Sequence, residues 1–316
     1  MAETVDTPRA PHRLAFAALI VANVLLAFGP WLVRLSDTGP VAAAFWRVTL
    51  AAPLLIAPLL AGGWRPVGLG KGVWVMIAIA GLSFAADLAS WHLGILRTTL
   101  ANATLFGNVA TLIFPLYGFL VLRAWPTRVQ GVALILAAIG AALLMGQSYS
   151  LNPRHLVGDL LCLFAGVLYT LYFICMARVR DTMSPLPALA LSTIAGMLPL
   201  LIFAWVLGER ILPGNWTPLI GLALASQVFG QGLMIYALGQ LSPLIVGLGL
   251  LTQPAVAAAV GWLVYDERLG TADWIGAVLV AIALVLVRRT HRPPLAPAAT
   301  EPRLVPEELA SEETPR

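Results

Sequence analysis

The chain has 316 residues, of which 59% are apolar and only 11% charged, with a formal net charge of +4. A soluble globular domain carries roughly 25% charged residues, so a water-facing surface is excluded and lipid is the solvent that fits. The positive charges are spread over short loops, which excludes the concentrated basic stripe of a nucleic-acid-binding protein.

Residues 1–13 are polar and include Arg9 and Arg13. The apolar run that follows has no small-residue cleavage site behind it, so it reads as a span and not as a signal peptide. Ten apolar runs follow in order: 14–33, 41–62, 72–92, 98–122, 128–147, 157–178, 185–208, 217–239, 242–265 and 270–288. Each is near the ~20 residues that cross a bilayer's hydrocarbon as a helix. The expected architecture is all-α and integral to the membrane. Its segments are a cytoplasmic segment 1–13, a first five-helix repeat 14–147, a periplasmic linker 148–156, a second five-helix repeat 157–288 and a tail 289–316. The tail is rich in Pro, Ala and Glu without apolar periodicity, and is expected to be disordered.

Lys and Arg concentrate on the side of the N-terminus: Arg9, Arg13, Arg65, Lys71, Arg123, Arg128, Arg178, Arg180, Arg288, Arg289 and Arg292, against Arg34, Arg97, Arg154, Arg210 and Arg268 opposite. The positive-inside rule then puts both termini in the cytoplasm, as an even number of spans requires. Sliding the chain by 145 positions superposes the halves, with Trp91 on Tyr236, Leu93-Gly94 on Leu238-Gly239 and Gly131 on Gly276. Five spans per half is an odd number, so the halves enter the membrane from opposite sides. That predicts inverted repeats around a central cavity, with a substrate site near mid-membrane.

Polar side chains in hydrocarbon are costly and face a bundle interior or a cavity. At 1.5 Å per residue, Asn23, Asn108, Gln227 and Gln253 all lie about 14–16 Å from a span end, with Tyr169 and Thr170 at similar depth and Gln231 one turn from Gln227. Two readings stay open for these amides: a neutral hydrogen-bonding belt around a cavity, or glue between packed helices. Trp46, Trp91 and Tyr169 are candidate cavity walls. The tryptophans near span ends, such as Trp64, Trp125, Trp216 and Trp262, read as interfacial anchors.

Two charges fall inside spans. Arg47 and Asp87 lie at matching depths of about 9 and 7.5 Å from the same side. They suggest an ion pair that locks spans 2 and 3, or a substrate-charge or proton site beside His92. Cys162 and Cys175 stand about 20 Å apart along one helix, too far to bond, and read as small packing residues. No two histidines share helix-turn spacing, so neither a metal site nor a cofactor is expected. Pro115 and Pro254 each free a carbonyl one turn earlier, and mark candidate hinges.

With these residues in place the chain resembles the drug/metabolite transporter superfamily, in particular its ten-helix EamA-type exporters, across residues 14–288. The resemblance is carried by Gly158-Asp159-Leu160-Leu161 with Ala165 and Tyr169, by Leu251-Thr252-Gln253-Pro254, by Asp266-Glu267-Arg268-Leu269, by Trp274-Ile275-Gly276-Ala277 and by Phe45-Trp46-Arg47. After span 4 the chain reads Arg123-Ala124-Trp125-Pro126 where Glu-Arg-Leu would stand, so Glu267 reads as an organiser of the turn between spans 9 and 10. The resemblance implies export of small organic solutes across a bacterial inner membrane by alternating access, and looks like the amino-acid exporter branch.

The expected function is a secondary transporter of neutral or zwitterionic metabolites, foremost amino acids including aromatic ones. Asn23, Asn108, Gln227, Gln231 and Gln253 would orient the substrate, and Arg47, Asp87 and His92 would form an ion pair or couple transport. The expected partners are a small-molecule substrate and membrane lipid, with a monomer sufficient to enclose the pathway. Export of other solutes such as nucleosides or amines is the alternative. An intramembrane enzyme using Asp87 and His92 lacks a nucleophile or metal cluster to complete its site.

Overall fold

The computed structural model describes residues 12–98, 100–121, 123, 125–146, 153–256, 259 and 270–290. All regular elements among them are helical. The first half contains α1 (His12–Ala27), α2 (Gly29–Leu35), α3 (Pro40–Ala61), α4 (Lys71–Ile95), α5 (Leu100–Gly107), α6 (Ala110–Leu120) and α7 (Arg128–Gly146). The second contains α8 (Leu156–Arg180), α9 (Pro185–Val206), α10 (Thr217–Gly221), a π-helix (Leu222–Gln231), α11 (Gly232–Leu238), α12 (Pro243–Leu250) and α13 (Thr271–Thr290). Residues 1–11, 148–152 and 291–316, and with them most of the expected linker and tail, lie outside the described residues, as does the motif Asp266–Leu269 with Glu267.

Six segments are long and apolar enough to cross a membrane: Arg13–Leu35, Pro40–Ala61, Lys71–Ile95, Leu156–Arg180, Pro185–Val206 and Thr217–Leu238. Four shorter apolar helices, Ala110–Leu120, Arg128–Leu143, Pro243–Val256 and Trp274–Leu286, fall where the other four spans are expected. Leu60, Leu82, Ile135 and Leu198 turn outward and are exposed, as side chains meeting hydrocarbon should be. The chain is a multi-pass membrane protein.

Local chemistry explains where the helices start and stop. An extended residue followed by proline opens α3 (Gly39, Pro40), α9 (Ser184, Pro185) and α12 (Ser242, Pro243); proline suits the first helical position because its missing N–H would be unpaired there anyway. Past the ends of α3 and α9 the chain turns at Gly63 (φ 70°) and Gly208 (φ 66°), a conformation that glycine takes without a Cβ penalty. These two helices lie 145 positions apart at both ends, and so do the turning glycines.

Helix pairing repeats the same exchange. Packing of α3 on α9 and of α7 on α13 joins corresponding elements of the two halves, and packing of α6 on α12 joins spans 4 and 9. Packing of α4 on α8 is matched by α1 on the π-helix and α11, and α4 on α9 by α3 on the π-helix. For the pairs α3–α9, α7–α13, α4–α8 and α4–α9, interchanging the halves therefore returns the same neighbours. The α4–α8 seam is close because its residues are small: a Cβ on Gly94 would lie 2.5 Å from the Cys162 sulfur. Cys162 and Cys175 are both buried thiols without a disulfide.

The halves differ in where their helices break. Span 1 is interrupted at Phe28, before Pro30, whereas its counterpart α8 is continuous. Span 3 is the unbroken α4, whereas its counterpart passes through ten residues of π-helix. Spans 4 and 9 break at 108–109 and at 251. The interruption in span 4 precedes Pro115 by several residues; Pro115 lies inside α6 against Gly247, where a Cβ would come within 2.5 Å of its ring. π-Helical segments tend to occur at functional sites, and all four broken spans carry one of the mid-membrane amides.

Candidate functional site

A cavity of about 70 Å³ lies where the broken spans meet α3, α4 and α8. One stripe of α4 faces it, formed by Phe84, Asp87, Leu88 and Trp91, the spacing that puts residues on one side of a helix. Opposite stand Asn108 of span 4, Tyr169 of α8, Gln231 of the π-helix and Gln253 of span 9, with Arg47 of α3 completing the wall. Leu26, Ala27 and Pro30 add an apolar patch from the kink in span 1.

The amides hold one another in place. Gln253 Nε2 donates to Asn23 Oδ1 (2.8 Å), and Asn23 Nδ2 donates to the Leu19 carbonyl (2.8 Å). Gln231 Nε2 donates to the Tyr169 hydroxyl (3.0 Å). At the break in span 4, Asn108 Nδ2 donates to the Thr104 carbonyl (2.8 Å), a local bond of the kind that competes with helix continuation. Asn108, Gln231 and Gln253 thus reach the cavity. Asn23 is fully buried behind Gln253 and is not in the wall.

Arg47 is 2% exposed and is clamped. Its Nε donates to Gln227 Oε1 (3.1 Å), and Gln227 Nε2 donates in turn to the Thr193 hydroxyl (3.0 Å). The guanidinium lies 5.6 Å from the centre of the Phe84 ring, within cation–π range, and Phe84 stacks on Tyr172 at 4.6 Å. Gln227 is spent on this clamp, buried away from the cavity. The expected Arg47–Asp87 ion pair is not made: no nitrogen of Arg47 comes within 4.0 Å of an Asp87 oxygen. The Gln227 bond and the Phe84 ring hold the guanidinium where it is.

Two other expected residues lie elsewhere. Trp46 is not in the cavity wall; its Nε1 donates to the Ile211 carbonyl (2.7 Å) and its ring meets Trp216 edge-on at 4.9 Å. Neighbouring residues on a helix point about 100° apart, so Arg47 facing the cavity turns Trp46 away from it. His92 is fully buried behind the wall, its Nδ1 bonded to the Pro40 carbonyl at 2.8 Å. A carbonyl only accepts, so Nδ1 carries the proton, and the bond ties α4 to the start of α3. Asp87 and His92 are therefore not brought together as an acid–base pair on the cavity.

The sequence did not point to Thr193, Phe84 or Thr104, all apolar or weakly polar positions without a motif. Nor did it point to Glu209. This carboxylate lies in the loop after α9, yet it accepts hydrogen bonds from the backbone N–H groups of Val41 (3.3 Å) and Ala42 (2.7 Å). It caps the start of α3, which has no capping side chain of its own. Beside it Asp37 accepts from Gly214 N–H (2.7 Å) and pairs with Arg210 at 3.7 Å. The Gly214 bond above all holds the Asp37 carboxyl below its ordinary value of 3.8, Arg210 adding a smaller push in the same direction.

Residues 156–289 match the EamA-like transporter family. Over 262 residues the chain is 23% identical to an uncharacterized transporter of Archaeoglobus fulgidus, a match covering 80% of this chain and 89% of that protein. A solved crystal structure is similar in fold, with a TM-score of 0.73 at 15% sequence identity, over 87% of this chain and 96% of that one. These comparisons support a membrane transporter whose second half, residues 156–289, carries the pattern of the EamA-like transporter family.

Proposed function

We propose that the chain is a secondary transporter that exports small neutral or zwitterionic metabolites, foremost amino acids including aromatic ones, by alternating access. The observation that carries this reading is the composition of the cavity wall. Three carboxamides and a phenol offer hydrogen bonds there without net charge, and Phe84, Trp91, Leu26 and Leu88 offer an apolar surface. Few polar groups precisely placed in an apolar pocket is the usual make-up of a small-molecule site.

Ten spans in two oppositely directed halves fit the 145-residue offset of α3 and α9 and the interchange symmetry of helix packing. Broken helices at the seam of such halves commonly form transporter binding sites. The distribution of Lys and Arg favours cytoplasmic termini, with Asp37 and Glu209 on the opposite face of the membrane. Trp91, Tyr169, Asn108, Gln231 and Gln253 contact the solute in this reading; Asn23 holds Gln253, and Gln227 holds Arg47 of the same wall.

Flux of labelled amino acids, amines and nucleosides into and out of proteoliposomes, with and without a pH gradient, tests it. Amino acids should move fastest, and Gln231→Ala and Asn108→Ala should lower their flux in folded protein. A chain that moves none of the panel in either direction is not this transporter.

A further inference from the structure

We propose that Arg47 and Asp87 are the two poles of a zwitterion site, the Arg47 terminal nitrogens taking a carboxylate and the Asp87 carboxylate taking an ammonium group across the same cavity. This rests on the transport reading above and deepens it by assigning the residues that recognise the two charges of the substrate.

Both groups line the cavity and both are more than nine-tenths buried, Arg47 at 2% and Asp87 at 8% exposure. Among the described residues Asp87 makes no hydrogen bond or ion pair, and Arg47 makes one side-chain hydrogen bond, through Nε, which leaves both terminal nitrogens unspent. Buried charges without partners are costly, and two of opposite sign on packed helices would ordinarily meet. Here they are kept apart. Gln227, itself fixed by Thr193, holds Arg47 from one side, and the Phe84 ring lies against its guanidinium.

The result is a separated positive and negative pole with no net charge between them. A solute with a single charge satisfies one pole and leaves the other buried and uncompensated. A solute without charge satisfies neither. An α-amino acid carries both complementary groups on one carbon, and its side chain then has Trp91, Tyr169 and Leu26 of the same wall to rest on. Arginine also suits the carboxylate geometrically, since its planar fork can hold both oxygens.

The test needs no variant at first. The full chain in proteoliposomes exchanges labelled phenylalanine while phenylalanine, phenethylamine or 3-phenylpropionate competes. Each analogue, lacking one charge, should compete at least about tenfold more weakly than phenylalanine. Asp87→Asn should then shift preference at least about tenfold toward 3-phenylpropionate, and Arg47→Gln by as much toward phenethylamine. Thermal unfolding confirms that each variant is folded, and the wild-type comparison stands if either is not. Competition by either analogue within about threefold of phenylalanine would overturn the assignment, as would variants that weaken all three solutes equally. Transport of nucleosides without any zwitterion overturns it while leaving the reading of a transporter for neutral solutes standing; absence of flux for the whole panel removes both.

Discussion

The two ends of the α3–α9 pair are built from the same backbone and held together differently. At the end where α3 begins, the loop after α9 crosses to the other half. Glu209 caps α3, Arg210 pairs with Asp37, the Gly39 N–H donates to the Arg210 carbonyl (3.0 Å), and the Trp46 indole donates to Ile211. At the end where α9 begins, Trp64 stands at the position corresponding to Glu209 and Thr182 at that of Asp37. Thr182 bonds locally to the Val179 carbonyl, and among the described residues no hydrogen bond joins 62–70 to 181–187. The shared backbone pattern accounts for shape, and a few charged residues decide which end is stitched. Under the alternating access proposed above the two ends open in turn, and unequal ties would bias the resting state toward one of them.

Variants that cut ties between the halves rank by the charge and burial of the group that loses its partner. The largest effect is expected from Gln227→Leu, which leaves the Arg47 Nε and the Thr193 hydroxyl without their partner between the halves. It should lower stability by about 3 kcal/mol, because a buried charge loses its hydrogen bond; chemical unfolding in detergent measures it. Glu209→Ala removes a charged cap from a helix N-terminus and should cost about 1–2 kcal/mol by the same assay. Replacing Trp64, its counterpart, by phenylalanine should leave the ties at that end unchanged. Thr193→Val keeps the shape and loses one hydrogen bond, for about 1 kcal/mol.

The smallest effect concerns Asp37, which is exposed. Its folded carboxyl titrates below 3.8, so its contribution is fully present above that pH and is lost as the pH falls through the lowered folded value. Wild-type protein should therefore show a downturn in melting temperature below pH 3.8 that Asp37→Asn lacks. An identical downturn in both proteins would remove Asp37 from the stitch.

Much of this was legible in the sequence because lipid constrains length and depth so strongly. Apolar runs of span length located the helices, and counting residues inward put Asn108, Gln231 and Gln253 at the layer where the cavity lies. Depth along a helix says nothing of direction around it. Trp46 lies inside its span and Gln227 at the right height, yet both point elsewhere, Trp46 toward Ile211 and Gln227 into the Arg47 clamp. Arg47 and Asp87 matched in depth, which suggested a pair; the third residue, which holds Arg47 through Nε, comes from 180 positions away. The Glu209 cap spans a similar distance, and no local pattern marks such a contact. The π-helix around Gln227 was equally hidden, since its residues are apolar at a spacing an α-helix would also show.

A pathway through the cavity is tested most directly by filling it. Ala27→Phe places a ring among Leu26, Pro30 and the α4 stripe, while Leu160→Phe places the same ring on the exposed side of α8. Both proteins are reconstituted, and counterflow of the amino acid that the wild type carries fastest is measured at equal protein density. Counterflow should be lost with Ala27→Phe and kept with Leu160→Phe, both proteins melting as the wild type does. Undiminished counterflow through folded Ala27→Phe protein would mean that the solute crosses somewhere else.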